Sequence, residues 1–329
     1  MNERLLYLVP ARLGDAVMLT PALARLKQLR PDFDLDVLAA TAMSAGVYRN
    51  NPSCHRIYIF SEVTFNAEFV SSYDFLVAPH RDVKILEMSE RCRKPILLTE
   101  LGDPNQVQAR QTLNFINRLF AHGTTPPEPA GYQLFPGDAE FEYASSLLGN
   151  GTHYIGMHLG CHGLNRRRAL PWRKKTQHEK VWPLKSIVSF ASRFKQEHAQ
   201  YQFMLTGGDN EQHLAHEFMK RVPDTINLVG KTDVLQLAAL MRGLSAYVCG
   251  DTGTMHVACA MNVPLVALFG QTNVLRTGPY PEASFRRVIK CDDLAHLSPE
   301  VVLGVVNDLL RPGGCEAAAA RKMRMSFPT

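Results

Sequence analysis

The chain has 329 residues, 46% of them hydrophobic and 20% charged, with a formal net charge of +5. That composition excludes a disordered or fibrous chain, and the length fits two domains of ordinary size. No apolar run approaches the roughly 20 residues of a membrane-spanning helix, and the seven scattered cysteines, with no Cys-x-x-Cys pair, argue for reduced thiols rather than a disulfide framework. The first ten residues are too soon interrupted to read as a signal peptide and read instead as a buried strand over 5–9. A cytoplasmic protein is the expectation.

The loop Pro10-Ala11-Arg12-Leu13-Gly14-Asp15 follows that strand. Val17, Leu19, Leu23 and Leu26 fall at helical spacing and predict one helix from about 15 to 29. Short apolar runs predict strands at 35–39, 57–60, 75–78 and 95–98, and a long helix is predicted over 106–120. Strands alternating with helical stretches imply a parallel sheet with crossovers. Thr124-Thr125-Pro126-Pro127-Glu128-Pro129 breaks the pattern and marks the linker, expected within about 124–138.

A short helix over 139–147 precedes a second α/β set. Its strands are predicted at 154–158, 202–205, 225–229, 244–248 and 264–269, with a helix over 184–196. Ser298-Pro299-Glu300 reads as a cap with proline at the first helical position, leading into a helix over 301–310. The expected organisation is an amino-terminal domain over 1–150, a carboxyl-terminal domain over 151–298, and a helix and tail over 299–329 packing back on the amino-terminal domain. The fold class is α/β, two Rossmann-like halves with a cleft between them.

Three features carry chemistry. Cys249-Gly250-Asp251-Thr252-Gly253-Thr254-Met255-His256 lies between a strand and a helix, with Asp251 and Thr252 expected to cap that helix through side-chain oxygens. Gly253 lets a ligand approach the backbone, and a helix start offers unpaired amides and partial positive charge to a phosphate. Asp15, after the first strand, is either a helix cap or a general base in the cleft. Between 162 and 180 lie Arg166, Arg167, Arg168, Arg173, Lys174, Lys175 and Lys180 against one acid, Glu179, a cluster that favours a polyanionic partner. Trp172 is its one aromatic residue, which argues against nucleic acid.

The stretch GDTGTMHVACAMNVPLVALFGQTNVLRTGPY resembles the carboxyl-terminal signature of the ADP-heptose–lipopolysaccharide heptosyltransferases, glycosyltransferase family 9, inverting bacterial enzymes with the two-domain GT-B fold. RLGDAVMLTPALARLKQLRPDFDLDVL is similar to the family's amino-terminal signature, with Thr20 and Pro21 in place. The resemblance implies that Asp15 deprotonates the acceptor hydroxyl. Lys180, in Lys180-Val181-Trp182-Pro183, would contact the donor diphosphate, and Glu211 the nucleotide ribose. Val229-Gly230-Lys231-Thr232 would lie against the adenine, and Asp251 would hold donor sugar or ribose hydroxyls. Amides of Gly253, Thr254 and Met255 would seat phosphate beside Thr252 and His256. Arg12, with Arg166, Arg167 and Arg168, is expected at the acceptor.

Between the second half's first strand and Lys180 the chain departs from the family, whose members have a shorter loop there; the basic insertion is either a solvated segment or a grip on an anionic acceptor. Asp32, Asp34 and Asp36 superficially match the acidic motif that binds a cation in other glycosyltransferases, but their position predicts a solvated turn. His158, Cys161 and His162 are too cramped and lack a fourth partner. The implied enzyme therefore needs no metal and no cofactor. It transfers heptose from a nucleotide-sugar donor to an anionic lipopolysaccharide core, with room for peripheral contact with the inner membrane. The alternatives are another nucleotide sugar on the same fold, or a non-catalytic nucleotide-sugar-binding protein.

Overall fold

Apolar runs without polar alternation call for sheets covered on both faces. The computed structural model describes residues 2–81, 95–99, 102–123, 125–149, 151–161 and 180–311. In it β1 (Arg4–Val9), β2 (Asp34–Ala39), β3 (Arg56–Ile59), β4 (Phe75–Ala78) and β5 (Leu97–Leu98) form one sheet in the order β3-β2-β1-β4-β5. Every pairing between them is parallel. The helices of this half are α1 (Leu13–Met18), α2 (Thr20–Leu29), α3 (Ala42–Gly46), α4 (Ala67–Ser71) and α5 (Gln108–Phe120).

After α6 (Asp138–Leu147), the second sheet takes β6 (His153–His158), β7 (Tyr201–Thr206), β8 (Thr225–Asn227), β9 (Leu244–Gly250), β10 (Leu265–Phe269) and β11 (Arg286–Lys290). Its order is β11-β10-β9-β6-β7-β8, again parallel throughout. Its helices are α7 (Leu184–Glu197), α8 (Gln212–Met219), α9 (Val234–Met241), α10 (Gly253–Ala260), α11 (Val274–Thr277) and α12 (Pro299–Leu310). In each sheet the strand order reverses beside the first strand, between β1 and β4 and between β6 and β9. Ligands of open α/β sheets bind at such switch points, outside the carboxyl ends of the strands. No helix among the described residues is long and apolar enough to cross a membrane.

Several expectations are corrected. The single helix over 15–29 is two, broken at Leu19. Thr20 donates its hydroxyl to the Val17 carbonyl at 2.8 Å, and Pro21, which has no N–H, opens α2. Asp15 is not a cap, because it lies inside the first turn of α1 and Arg12 is the N-cap. Thr252 is the N-cap of α10 but no side-chain oxygen caps that helix; Thr252 Oγ1 meets Thr254 Oγ1 at 3.0 Å instead. Asp36 is not in a solvated turn. It is fully buried on β2 and takes hydrogen bonds from Arg4 (3.0 Å) and Tyr73 (2.8 Å), with His55 Nδ1 at 2.9 Å.

The helix over 299–310 is capped by Ser298 as expected. It packs on α7 and on strands β9 and β10, and the tail from 312 lies outside the described residues. Val302, Val306 and Leu309 join the core of the second half, and Asn307 bonds Glu197 and His198. α6, expected in the amino-terminal domain, lies along α9, and Tyr143 donates to the Lys231 carbonyl at 3.2 Å. The chain therefore crosses between domains before residue 138. Edge strand β11 went unforeseen because Arg286-Arg287-Val288-Ile289-Lys290 is largely polar.

Candidate active site

The two switch points face each other. Asp15 comes from the first turn of α1, just after β1, and His80 and Arg81 follow the end of β4. Asp251 follows β9, and Lys180 is the residue before the Val181-Trp182-Pro183 entry to α7. All five, with Arg12, line one cleft of about 480 Å³. Sequence reasoning placed Arg12, Asp15, Lys180 and Asp251 here, and the fold brings these four together.

The floor of the cleft is the meeting of α1 and α10. Ala16, Val17 and Met18 share a buried cluster with Met255, Val257 and Ala258, so the domains are joined by apolar packing. His256, expected as a phosphate donor, belongs to this junction. It is 3% exposed, and its ring meets Tyr132 edge to face at 5.5 Å. Burial pushes its pKa down to about 4, against the opposing pull of Asp251 and Asp15 and with the help of Lys180, so the ring is neutral at pH 7. The Met255 amide donates to the Thr252 carbonyl at 3.1 Å. Of the three amides expected to seat phosphate, that one is already committed.

Lys180 and Asp251, expected to hold separate parts of a donor, hold each other. Nζ lies 2.6 Å from Oδ2, with the lysine side chain 32% exposed and the carboxylate 7%. A short charge-assisted bond at the mouth of a buried helix start keeps a mobile ammonium in place and offsets the carboxylate's charge. Across the cleft His80 Nε2 is 3.9 Å from the Asp15 carboxylate.

Glu211 closes a 3-10 turn, Asp209–Glu211, behind the end of β7. It is 4% exposed, accepts the Gly208 amide at 2.9 Å, and faces His158 Nε2 at 3.0 Å. Burial pushes its carboxyl up, but the hydrogen bond and charge of His158 and the Gly208 amide outweigh that and leave it below the usual glutamate value. The Val229–Thr232 turn comes to the same place through Gly230, whose amide donates to the Gly207 carbonyl at 2.8 Å. Asp32, Asp34 and Asp36 do not converge; Asp32 pairs with Arg30, and Asp34 takes a bond from Asn2. Among the described residues no group of three metal-ligating side chains forms. Arg166, Arg167 and Arg168 lie outside the described residues.

Sequence reasoning missed His80 and Arg81, whose position just after a strand beside β1 was the available signal, and Gln108, Thr272, Asn273, Arg276 and Thr277, which complete the lining. Asn273 also donates to the Pro104 carbonyl at 2.8 Å, tying the two halves across the rim.

Residues 154–290 match the model of glycosyltransferase family 9 (heptosyltransferase). Over that stretch, most of the second domain, the chain is similar to glycosyltransferase family 9. Lipooligosaccharide heptosyltransferase 2 of Haemophilus influenzae is 29% identical over 131 residues, 33% of this chain and 38% of that protein, so the chain spans well under half of that relative's length. A family 9 glycosyl transferase from Veillonella parvula superposes with a TM-score of 0.77 at 21% identity, covering 94% of this chain and 97% of the other. For E. coli ADP-heptose lps heptosyltransferase II the score is 0.74 at 20% identity, covering 93% and 98%. At such identities the likeness speaks for the fold alone, which is GT-B.

Proposed function

We propose that this chain is an inverting glycosyltransferase that moves heptose from ADP-heptose to a sugar hydroxyl of a lipopolysaccharide core. The observation that carries the reading is a single cleft lined by Asp15 from one domain and by the Lys180–Asp251 pair from the other. One side holds a carboxylate able to take a proton, and the other holds fixed positive charge for a leaving diphosphate. A switch-point cleft in a GT-B frame suits a nucleotide sugar.

In this reading the acceptor oxygen attacks the anomeric carbon from the face opposite the diphosphate. Its proton passes to the Asp15 carboxylate, the carbon–oxygen bond to the β-phosphate breaks, and ADP leaves with that electron pair. Lys180 and the first amides of α10 would stabilise the charge on the leaving group, so the reading calls for no metal ion. Glu211 would hold ribose hydroxyls, and the Thr232 turn the base. The acceptor would be anionic, because Arg12, Arg81 and Arg276 line the same cleft. The apolar junction beneath the cleft supports a shared, water-excluding site.

A donor screen tests this directly. Thermal shift and mass spectrometry with ADP-heptose beside UDP- and GDP-sugars should single out ADP-heptose as stabilising and as transferred. Stabilisation by a UDP-sugar alone would overturn the donor assignment.

A further inference from the structure

A polar chain links Glu211 to the first turn of α10 through His158, which has no part in the chemistry just described. His158, at the carboxyl end of β6, has both ring nitrogens engaged: Nε2 faces Glu211 Oε1 at 3.0 Å, and Nδ1 faces Thr254 Oγ1 at 2.8 Å. Thr254 Oγ1 in turn meets Thr252 Oγ1 at 3.0 Å. The ring thus joins the loop after β7 to the first turn of α10, 53 residues from Glu211 and 96 from Thr254 along the chain.

The direction of these bonds follows from one end. Glu211 accepts the Gly208 amide through Oε2, and its carboxyl lies below the usual glutamate value, so it is a carboxylate and only accepts. His158 must then donate from Nε2. Its Nδ1 then faces the Thr254 hydroxyl, which in turn meets that of Thr252. The carboxylate is also caged. A Cβ on Gly160 would stand 2.2 Å from Glu211 Oε1, and one on Gly207, whose φ is +150°, would stand 2.4 Å from Oε2. Backbone walls and the ring leave Glu211 one arrangement.

We infer that His158 is a positioning residue: it fixes the carboxylate that would receive the ribose of a nucleoside diphosphate and locks it to the turn that would receive the phosphates. The inference rests on the nucleotide-sugar reading of the site. A ring that only fills space would support both halves of the ligand equally. A ring that aims Glu211 supports the ribose hydroxyls in particular.

The test measures binding of ADP and of 2′,3′-dideoxy-ADP by calorimetry to the full-length protein and to His158→Ala, His158→Asn and His158→Gln. A glutamine amide falls near the Nε2 position and an asparagine amide near Nδ1, so the first keeps a donor to Glu211 and the second does not. The wild type should prefer ADP by about tenfold, the worth of one charge-assisted hydrogen bond. His158→Ala and His158→Asn should weaken ADP binding and bring the ratio towards one, while His158→Gln should restore much of it. Equal weakening of both ligands, with the ratio preserved in His158→Asn, would overturn the positioning role, and so would a wild type that does not distinguish them. A wild type that binds neither ligand removes the nucleotide reading itself. His158→Asn and His158→Gln keep bulk and polarity at the site, so the comparison survives if His158→Ala does not fold.

Discussion

Gly14 and Gly253 meet backbone to backbone where α1 and α10 cross between the domains. A Cβ on Gly253 would lie 3.0 Å from the Gly14 amide nitrogen and 2.9 Å from Leu13 Cβ. One on Gly14 would lie 3.3 Å from Gly253 Cα and 3.0 Å from the His256 ring. Bare backbone at both positions is what brings the Asp15 turn close to the Asp251 turn. Gly253→Ala must therefore push the helices apart, costing about 1–3 kcal/mol as overpacking does. It should lower the melting temperature and depress transfer more than ADP binding. A variant with unchanged melting temperature and turnover would mean that this approach is not what sets the cleft.

The Lys180–Asp251 pair predicts coupling. Lys180→Ala removes the ammonium expected at the diphosphate and leaves a nearly buried carboxylate facing it, so ADP affinity should fall roughly 10–100-fold. Lys180→Ala/Asp251→Ala should bind ADP better than the sum of the two single losses predicts, because the double variant no longer carries the unpaired carboxylate. Strict additivity in calorimetry would show that the pair is incidental.

His256 makes stability depend on pH. Its folded value of about 4 lies below the ordinary 6.5, so between these values the unfolded chain binds a proton that the folded chain does not. Stability rises with pH wherever the unfolded state holds more protons. The contribution is thus fully present above pH 6.5, is lost as pH falls towards 4, and amounts to about 3 kcal/mol at most. Urea midpoints measured from pH 7 to 4.5 should fall more steeply for the wild type than for His256→Gln. Parallel curves would mean that His256 titrates normally in the fold.

Arg25 fastens the linker to the amino-terminal domain. Only 3% exposed, its guanidinium donates to Asn117 Oδ1 at 2.7 Å, to the Pro126 carbonyl at 2.6 Å and to Thr125 Oγ1 at 2.9 Å. Arg25→Ala should cost roughly 2–4 kcal/mol through the acceptors it strands. ADP affinity, which the proposed reaction assigns to the other domain, should stay within about twofold of wild type in calorimetry. A large loss of ADP affinity would show that linker geometry reaches the donor site.

Most of the fold was legible because parallel strands buried on both faces announce themselves as apolar runs, as at Leu5–Val9 and Leu265–Phe269. The exceptions are physical. Pro21 was a readable warning that the first helix breaks, whereas the Thr20 hydroxyl that completes the break on Val17 was not. Asp36 looked solvated because its partners Arg4, Tyr73 and His55 lie 32, 37 and 19 residues away and only the sheet assembles them. The identities of Asp15, Lys180, Glu211 and Asp251 came from their resemblance to family signatures. What no pattern could give was their pairing: Lys180 finds Asp251 71 residues on, and Glu211 finds His158 at the end of the neighbouring strand. His256 looked like a ligand-facing donor and is instead a neutral ring in the domain junction, because helix α10 turns that face towards Gly14.

In the proposed reaction Asp15 takes the acceptor's proton. Steady-state transfer from ADP-heptose by Asp15→Ala, measured beside its ADP dissociation constant, tests it most directly. Turnover should fall about 10²–10⁴-fold with ADP affinity essentially unchanged. Turnover near that of the wild type would remove Asp15 from the mechanism.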